Sequence, residues 1–281
     1  MEYSLGLYEK ALPPGQDLIS LCRKAKACGF DRLELSIDES DARLARLDWP
    51  ERDQRALGTR SREEDCPIRT LCLSGHRKYP LGSHDPAIRE RSLEIMEKAL
   101  DFAANAGISV IQLAGYDVYY EEGDAATQGW FGENLARSAA WAAERGVVLA
   151  FETMETSFMD TAEKAMAWVK KVNSPWLGLY PDIGNLQNAA ALYGHSVTDD
   201  LRRGAGHIFA LHLKETKPGV YRDMAFGSGG HTDYDGCLRA ALDMGVRLFT
   251  GEFWYKPGTD GVAEAKKASR FLREKIERAA E

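Results

Sequence analysis

The sequence lacks a dense run of basic residues, a long apolar run and a signal-peptide pattern. Its 36 Lys and Arg against 43 Asp and Glu give a formal net charge of −7, so we expect neither nucleic acid nor an anionic membrane surface as a partner. The uncharged stretch Phe102–Tyr116 contains Asn105 and Gln112 and is shorter than the about 20 apolar residues of a membrane span. The sequence that starts with Met1–Tyr3 does not show the basic region and the apolar stretch of a signal peptide. These features predict a cytoplasmic protein without a membrane span.

The cysteines also lack the spacing of a zinc or redox motif. There are 5 of them, and none stands in a Cys-x-x-Cys spacing. Disulfide frameworks and zinc sites usually show paired, regularly spaced cysteines. We therefore interpret them as reduced thiols that mainly fill the core: Cys22, Cys28, Cys66, Cys72 and Cys237.

What the sequence does contain is an alternation of short apolar runs and amphipathic segments, which is typical of α/β folds. Helix signals include Asp85-Pro86 as a start and Gly107 as a stop. The charged segment Asp38–Pro67 predicts two short helices that cover one end of the fold. The predicted strands are Ser4–Tyr8, Arg32–Ser36, Arg69–Ser74, Ser109–Ala114, Val147–Glu152, Leu177–Pro181, Ile208–Leu213 and Leu248–Glu252. The predicted helices are Asp17–Cys28, Ala87–Asn105, Phe131–Arg145, Asp160–Val172, Asp235–Met244 and Gly261–Ala280.

Eight strand and helix units without a Pro-, Gly- or Ser-rich linker predict one domain over residues 1–281, a single (β/α)8 TIM barrel. An open, doubly wound sheet is the alternative architecture. Its G-x-G-x-x-G fingerprint is absent after Ser4–Tyr8. In a TIM barrel, the active site lies at the carboxyl ends of the strands.

Ionisable residues end four consecutive predicted strands, at spacings close to one barrel unit. They are Glu152, Asp182, His212 and Glu252. Any one of them alone would be interpreted as a salt-bridged carboxylate or a core histidine. Four at the same end of successive strands converge on the barrel axis, and three carboxylates with one imidazole suit Mn²⁺, Mg²⁺, Co²⁺ or Zn²⁺. The pattern predicts a site for a divalent metal ion.

Beyond this pattern, the sequence resembles the L-ribulose-5-phosphate (L-xylulose-5-phosphate) 3-epimerases, metal-dependent enzymes of the xylose-isomerase-like barrel superfamily. The resemblance covers nearly the whole chain, from Met1 to Trp254. Its most specific stretches are Gly82–Arg91, Ile111–Tyr120 and Tyr180–Leu186.

The resemblance implies that the same four residues are the metal ligands and that Glu152 and Glu252 also form the acid/base pair. In epimerisation at C3 of a 2-ketopentose, a proton leaves one face and returns on the other, so two proton carriers must flank one carbon. A metal ion that bridges the C2 carbonyl and C3 hydroxyl would stabilise the enediolate between them. The implied reaction interconverts L-ribulose 5-phosphate and L-xylulose 5-phosphate. We further expect a homo-oligomer, a dimer, that acts on a small sugar phosphate in pentose phosphate metabolism and L-ascorbate utilisation.

A phosphate site is predicted at the same end of the barrel. A loop after the seventh strand leads towards a helix near Asp233, where free amides could hold an anion. A flexible turn is the alternative for the loop, and surface salt bridges are the alternative for the nearby cations. The predicted substrate- or phosphate-binding residues are His76, Arg77, Lys214, Arg222, Gly227, Ser228, Gly229 and Gly230.

The sequence departs from the family pattern outside the four ligands, which bears on substrate choice. Thr153–Glu155 stands where Ile-Met-Asp is expected, Ser228 where Glu is expected, Phe253 where Met is expected and Glu215 where Asp is usual. A 3-epimerase or isomerase of free ketoses on the same barrel is therefore the alternative function. A metal-dependent endonuclease would need a basic groove, which the net charge of −7 disfavours. A non-catalytic sugar-binding barrel would be expected to have lost one of the two glutamates.

Overall fold

The computed structural model describes residues 2–281, and within this range eight parallel strands form a single sheet. The strands pair in the order β6-β5-β4-β3-β2-β1-β8-β7. Parallel bridges join Leu179 to Ile208 and Asp182 to His212, so the two outer strands also meet and close the barrel. The strands are β1 (Ser4–Tyr8), β2 (Arg32–Ile37), β3 (Ile68–Leu73), β4 (Val110–Ala114), β5 (Val148–Glu152), β6 (Leu177–Leu179), β7 (Leu211–Leu213) and β8 (Leu248–Gly251).

The helices surround this barrel, and their ends follow the sequence signals. Asp85 accepts a hydrogen bond from the Ala87 amide at the start of one helix, and Gly107 ends it at φ 74°, a conformation that glycine adopts easily. The helices are α1 (Leu18–Ala27), α2 (Asp41–Leu44), α3 (Glu51–Glu63), α4 (Pro86–Ala106), α5 (Ala125–Arg145), α6 (Ala162–Val172), α7 (Ile183–Tyr193), α8 (Val197–Arg202), α9 (Tyr234–Asp243) and α10 (Gly261–Ala279).

The predicted element bounds need several corrections. Between β6 and β7 the sequence analysis assigned no helix, but α7 and α8 lie there. Helix α5 begins at Ala125 rather than Phe131, because Asp124 caps it with a capping box. Segment Asp38–Pro67 holds the two short helices that were predicted, α2 and the 3-10 helix Ala45–Asp48, and in addition the 13-residue helix α3. Strands β6, β7 and β8 are shorter than predicted. Two of the four candidate ligands, Asp182 and Glu252, therefore lie just after a strand instead of at its end.

Strand β2 shows how the sheet separates the apolar layer beneath the helices from the barrel interior. Leu33, Leu35 and Ile37 belong to the main apolar core, together with residues of the surrounding helices. The alternate residues Arg32 and Glu34 are also fully buried, and they point into the barrel interior. The interior is therefore partly polar directly below the candidate ligands. All five cysteines are buried and unpaired, which fits their predicted packing role.

None of the helices in residues 2–281 combines the length and apolar character needed to cross a membrane.

Candidate metal centre and active site

The four predicted ligands come together at the carboxyl end of the barrel. Glu152 is the last residue of β5, His212 is the middle residue of β7, and Glu252 follows β8. Asp182 caps α7, and its Oδ1 accepts a hydrogen bond from the Asn185 amide at 2.8 Å. Each residue offers one ligand atom, all four atoms lie within 4.8 Å of one another, and all four residues are buried. The spacing prediction thus placed the residues correctly.

The donor atoms have the arrangement that a cation would need. His212 Nδ1 lies 3.2 Å from Glu152 Oε1 and 3.7 Å from Glu252 Oε2. Lys214 Nζ lies 2.8 Å from Asp182 Oδ2 and 3.1 Å from Glu252 Oε2. Those two buried carboxylate oxygens therefore share a single ammonium group. The oxygen-rich donor set, three carboxylates with one imidazole, fits a divalent metal ion.

The pKa values reflect this crowding of charge. Burial raises the pKa of Asp182 to about 7, with Lys214 opposing the shift and Glu252 and Glu152 adding to it. Burial alone would also raise the pKa of Glu252, but Lys214 and His212 lower it to about 2. Three carboxylates in one buried cluster thus compete for too little positive charge, and a divalent cation would relieve that imbalance.

Glu34 is a part of the site that the sequence analysis missed. Its Oε1 lies 2.6 Å from His212 Nε2, and both side chains are fully buried. Burial would lower the pKa of His212, but the carboxylates of Glu34, Glu252 and Glu152 raise it well above its usual range. A divalent ion would have to displace the Nδ1 proton, while the Nε2 proton stays on the hydrogen bond to Glu34. Metal-binding histidines usually have such a carboxylate partner, which fixes the orientation and tautomer of the ring.

Glu34 is itself held by a polar network across the barrel interior. Its Oε2 accepts hydrogen bonds from Thr70 at 2.7 Å and from Tyr180 at 2.6 Å. Arg32 donates to Thr70 at 2.9 Å and to Thr250 at 2.8 Å. A Cβ on Gly6 would collide with the Arg32 guanidinium, so this glycine makes room for the network. The sequence signal was available: charged residues alternate with apolar ones in β2, which is unusual for a strand buried on both faces.

The predicted cations have different surroundings in the structure. Lys214 pairs with the carboxylates, as described above. His76 is buried, its Nε2 lies 3.2 Å from the Ser92 carbonyl oxygen, and burial lowers its pKa to about 4. It is therefore neutral near pH 7, and the structure does not support the prediction that it adds positive charge to a phosphate site. Arg222 stacks over the Trp254 ring at 5.5 Å, and Arg77 lies over the rings of Tyr116 and Tyr119 at 5.8 and 5.3 Å.

The glycine loop, residues 227–230, lies beside a carboxylate. Glu215 accepts backbone hydrogen bonds from Thr216 and Gly227, and burial raises its pKa. A Cβ on Gly230 would collide with this carboxylate, so the close approach requires a glycine. Glu215 lies where a bound anion would have to approach these amides.

Fold and site together define a parallel barrel with a buried carboxylate-histidine cluster at its carboxyl end, and comparisons with known proteins specify the class. Residues 22–275 match the model of the xylose isomerase-like TIM barrel family. The L-ribulose-5-phosphate 3-epimerases UlaE of Salmonella paratyphi A and of Escherichia coli strain SE11 are each 42% identical over 276 residues, with 98% of this chain and 95% of each relative covered. The chain therefore belongs to the L-ribulose-5-phosphate 3-epimerase family of xylose isomerase-like TIM barrels, and the resemblance found in the sequence is confirmed.

Solved structures support the fold. An L-ribulose 3-epimerase superposes with a TM-score of 0.78 at 19% identity, covering 99% of this chain and 96% of its own. The D-psicose 3-epimerase of Clostridium cellulolyticum H10 superposes with a TM-score of 0.78 at 17% identity, covering 97% of this chain and 99% of its own.

Proposed function

We propose that this protein is a metal-dependent 3-epimerase that interconverts L-ribulose 5-phosphate and L-xylulose 5-phosphate. The observation that carries the proposal is the buried cluster of Glu152, Asp182, His212 and Glu252, whose ligand atoms lie within 4.8 Å of one another. The 42% identity to L-ribulose-5-phosphate 3-epimerases over 98% of the chain supports the choice of substrate.

The four clustered residues would hold the metal ion, which would act as a Lewis acid on the C2 carbonyl and C3 hydroxyl oxygens of the ketose. Glu152 and Glu252 each lie within 4 Å of His212 Nδ1 from separate strands, so they can approach one substrate carbon from two directions. One of them removes the C3 proton and the other supplies a proton to the opposite face. Their roles exchange when the reaction runs backwards.

Glu34 and Lys214 would prepare these groups. Glu34 fixes the His212 ring, so that Nδ1 is directed at the cluster. Lys214 pairs with Glu252 and Asp182, and its charge helps to keep the Glu252 carboxyl ionised and able to accept a proton. The burial of all four side chains excludes water from the reacting carbon, which strengthens each charge interaction there.

The test is a comparison of L-ribulose 5-phosphate with free L-ribulose, each with added Mn²⁺, Mg²⁺, Zn²⁺ or Co²⁺. Epimerisation of the phosphate ester with a kcat/KM at least about tenfold higher than that of the free sugar is expected, because one charge-assisted hydrogen bond already contributes about 1.5 kcal/mol. Equal values would make the free-ketose 3-epimerase the better assignment.

We also propose a single domain over residues 1–281, a homodimer, a cytoplasmic location and a role in L-ascorbate utilisation. Light scattering tests the dimer directly.

A further inference from the structure

Strand β4 places a glutamine beside the metal cluster. Ile111 and Leu113 of this strand belong to the main apolar core, whereas Val110 belongs to a separate cluster inside the barrel. Because side chains alternate along a strand, Gln112 shares the face of Val110 and points into the barrel interior. The side chain is fully buried, so its amide has to find polar partners there.

The amide of Gln112 is poorly paired within the fold. Its Nε2 lies 3.5 Å from His212 Nδ1, which is longer than most hydrogen bonds. Its Oε1 is buried and has no hydrogen-bond partner within residues 2–281. An unpaired amide in a buried position is costly. The nitrogen beside it, His212 Nδ1, faces Glu152 and Glu252, so the amide borders the place where the ligand atoms meet.

The neighbouring side chains of the barrel wall do not complete this amide. In the register of the sheet, Gln112 lies between Cys72 of β3 and Ala150 of β5. Ala150 carries only a methyl group, and a thiol is a weak hydrogen-bonding group. The residues before and after Gln112 on the same face of β4 are the apolar Val110 and Ala114. The cluster is therefore the side from which a polar partner can come.

We infer that Gln112 is a positioning residue of the metal centre, and that its amide oxygen accepts a hydrogen bond from an O–H group, of water or of the sugar, at the cluster. A divalent ion held by four protein side chains commonly takes further oxygen ligands. Water and a ketose hydroxyl can both donate to an amide oxygen. This inference rests on the proposed function, because it assumes that the cluster holds a metal ion.

A glutamine suits this position better than another carboxylate. The cluster already contains three carboxylates, and a fourth would add like-charge repulsion, whereas a neutral amide offers an oxygen acceptor without a charge. Glu34 contacts His212 Nε2 at 2.6 Å, and Gln112 lies on the Nδ1 side of the same ring. The two residues thus hold different groups of the centre: Glu34 holds the imidazole, and Gln112 holds the incoming O–H group.

The experiment compares Gln112→Met with Gln54→Met, because Gln54 is a buried glutamine whose amide is paired at both ends. Gln54 donates from Nε2 to the Trp49 carbonyl oxygen at 2.8 Å, and its Oε1 accepts from Asn105 Nδ2 at 3.0 Å. Calorimetric titration of each metal-free protein with Mn²⁺ alone measures the affinity of the cluster. If the O–H group belongs to water, Gln112→Met should weaken Mn²⁺ binding by about 10-fold or more, whereas Gln54→Met should leave it unchanged.

Unfolding by urea separates this role from a packing role. In the metal-free protein, Gln112→Met removes a poorly paired buried amide, so the urea midpoint should stay the same or rise. Gln54→Met removes two hydrogen bonds and should lower the midpoint. If Gln112→Met lowers the midpoint as Gln54→Met does, or fails to fold, Gln112 is a structural residue and the inference is wrong.

Steady-state assays with L-ribulose 5-phosphate at saturating Mn²⁺ identify the source of the O–H group. Weaker Mn²⁺ binding by Gln112→Met in the absence of sugar assigns the group to water. Unchanged Mn²⁺ binding, with a KM raised about tenfold and an unchanged kcat, assigns it to a hydroxyl of the sugar.

The same measurements separate a failure of this inference from a failure of the proposed function. If the wild type binds Mn²⁺ and epimerises the sugar phosphate, and Gln112→Met equals it in Mn²⁺ affinity and in KM, only the role of Gln112 is wrong. If the wild type itself neither binds Mn²⁺ nor epimerises the sugar phosphate, the proposed function is wrong.

Discussion

The carboxyl ends of β5 to β8 and those of β1 to β4 form two halves of the same barrel mouth, but the two halves gather opposite charges. The first half brings three carboxylates and His212 into one buried cluster. The second half presents Arg77 and Lys78 in an open cavity of about 800 Å³, where Asp38 pairs with Lys10 and Glu39 accepts a hydrogen bond from Tyr120. The first half is short of positive charge, whereas the lining of the second carries three cations against two carboxylates.

This difference indicates what kind of molecule fits between them. Under the proposed function, a hydroxyketone with a bound divalent cation would meet the need of the carboxylate half. The following changes act on one half at a time, in order of decreasing expected effect.

Replacing either glutamate of the proposed acid/base pair should have the largest effect. Glu152→Gln and Glu252→Gln should each lower kcat by about 10²-fold to 10⁴-fold, because an amide cannot accept the proton. Steady-state assays at matched metal content give the comparison, with the exposed Glu163→Gln as the control. Wild-type turnover in deuterium oxide should place deuterium at C3, and epimerisation without such exchange would contradict the two-glutamate mechanism.

Removing the metal should abolish activity and also lower stability. At a free Mn²⁺ concentration about 100 times the dissociation constant, binding to the folded state alone adds about 2.7 kcal/mol to the free energy of unfolding. Urea unfolding with and without the ion measures this difference. At the same ion concentration, Asp182→Asn should reduce the metal-dependent increase in the free energy of unfolding. An equal increase in this variant would mean that the ion binds elsewhere.

Replacing Glu34 should weaken metal binding by the carboxylate half, because Glu34 holds the His212 ring. Glu34→Leu removes the partner of His212 Nε2, and we expect metal affinity to fall by about 10-fold to 100-fold. Glu34→Gln keeps an oxygen acceptor and should recover part of the loss. Calorimetry with Mn²⁺ measures the affinities. The control is Thr250→Val, which removes the hydroxyl contacts to Arg32 and Tyr180 but keeps the backbone pairing of Thr250 with His212 and the hydrogen bond from His212 to Glu34. An equal loss in this variant would mean that Glu34 acts only through general packing.

The smallest expected effect concerns His76, beside the cationic half. Its pKa is about 4 in the folded protein and about 6.5 in an unfolded chain, so between these values the unfolded state binds more protons. The contribution of the neutral ring to stability is complete above pH 6.5 and is lost as pH falls towards 4. The stability advantage of the wild type over His76→Gln should therefore shrink by about 2 kcal/mol between pH 7 and pH 4.5, as measured by urea unfolding. A constant difference would show that His76 does not titrate in this way.

The sequence predicted the carboxylate half well because that half depends on strands. Hydrophobic runs define where β5, β7 and β8 end, and residues at the ends of parallel strands must meet. The register of the barrel then brings Glu152, His212 and Glu252 together without any further information. The resemblance to a known family added their roles, which spacing alone does not supply.

The same reasoning was weaker where the structure depends on loops and on side-chain pairing. The sequence does not show that Lys214 turns towards Asp182, or that His76 turns towards the Ser92 carbonyl. Glu34 was missed because the sequence shows it only as a single carboxylate within a strand. Its partners Tyr180 and His212 lie on the opposite side of the barrel, and the sequence does not show that they contact it. Helix α7 was missed although it begins directly after the predicted ligand Asp182.

The bond between Glu34 and His212 joins residues 178 positions apart, and Glu252 lies near the end of the chain. During synthesis, a nascent chain cannot assemble the complete four-residue cluster until its last strand has been made. Stabilisation by the proposed metal ion would therefore be available only to the finished barrel. A chain truncated before β8 would lack Glu252, so binding of the proposed ion would distinguish complete barrels from incomplete ones.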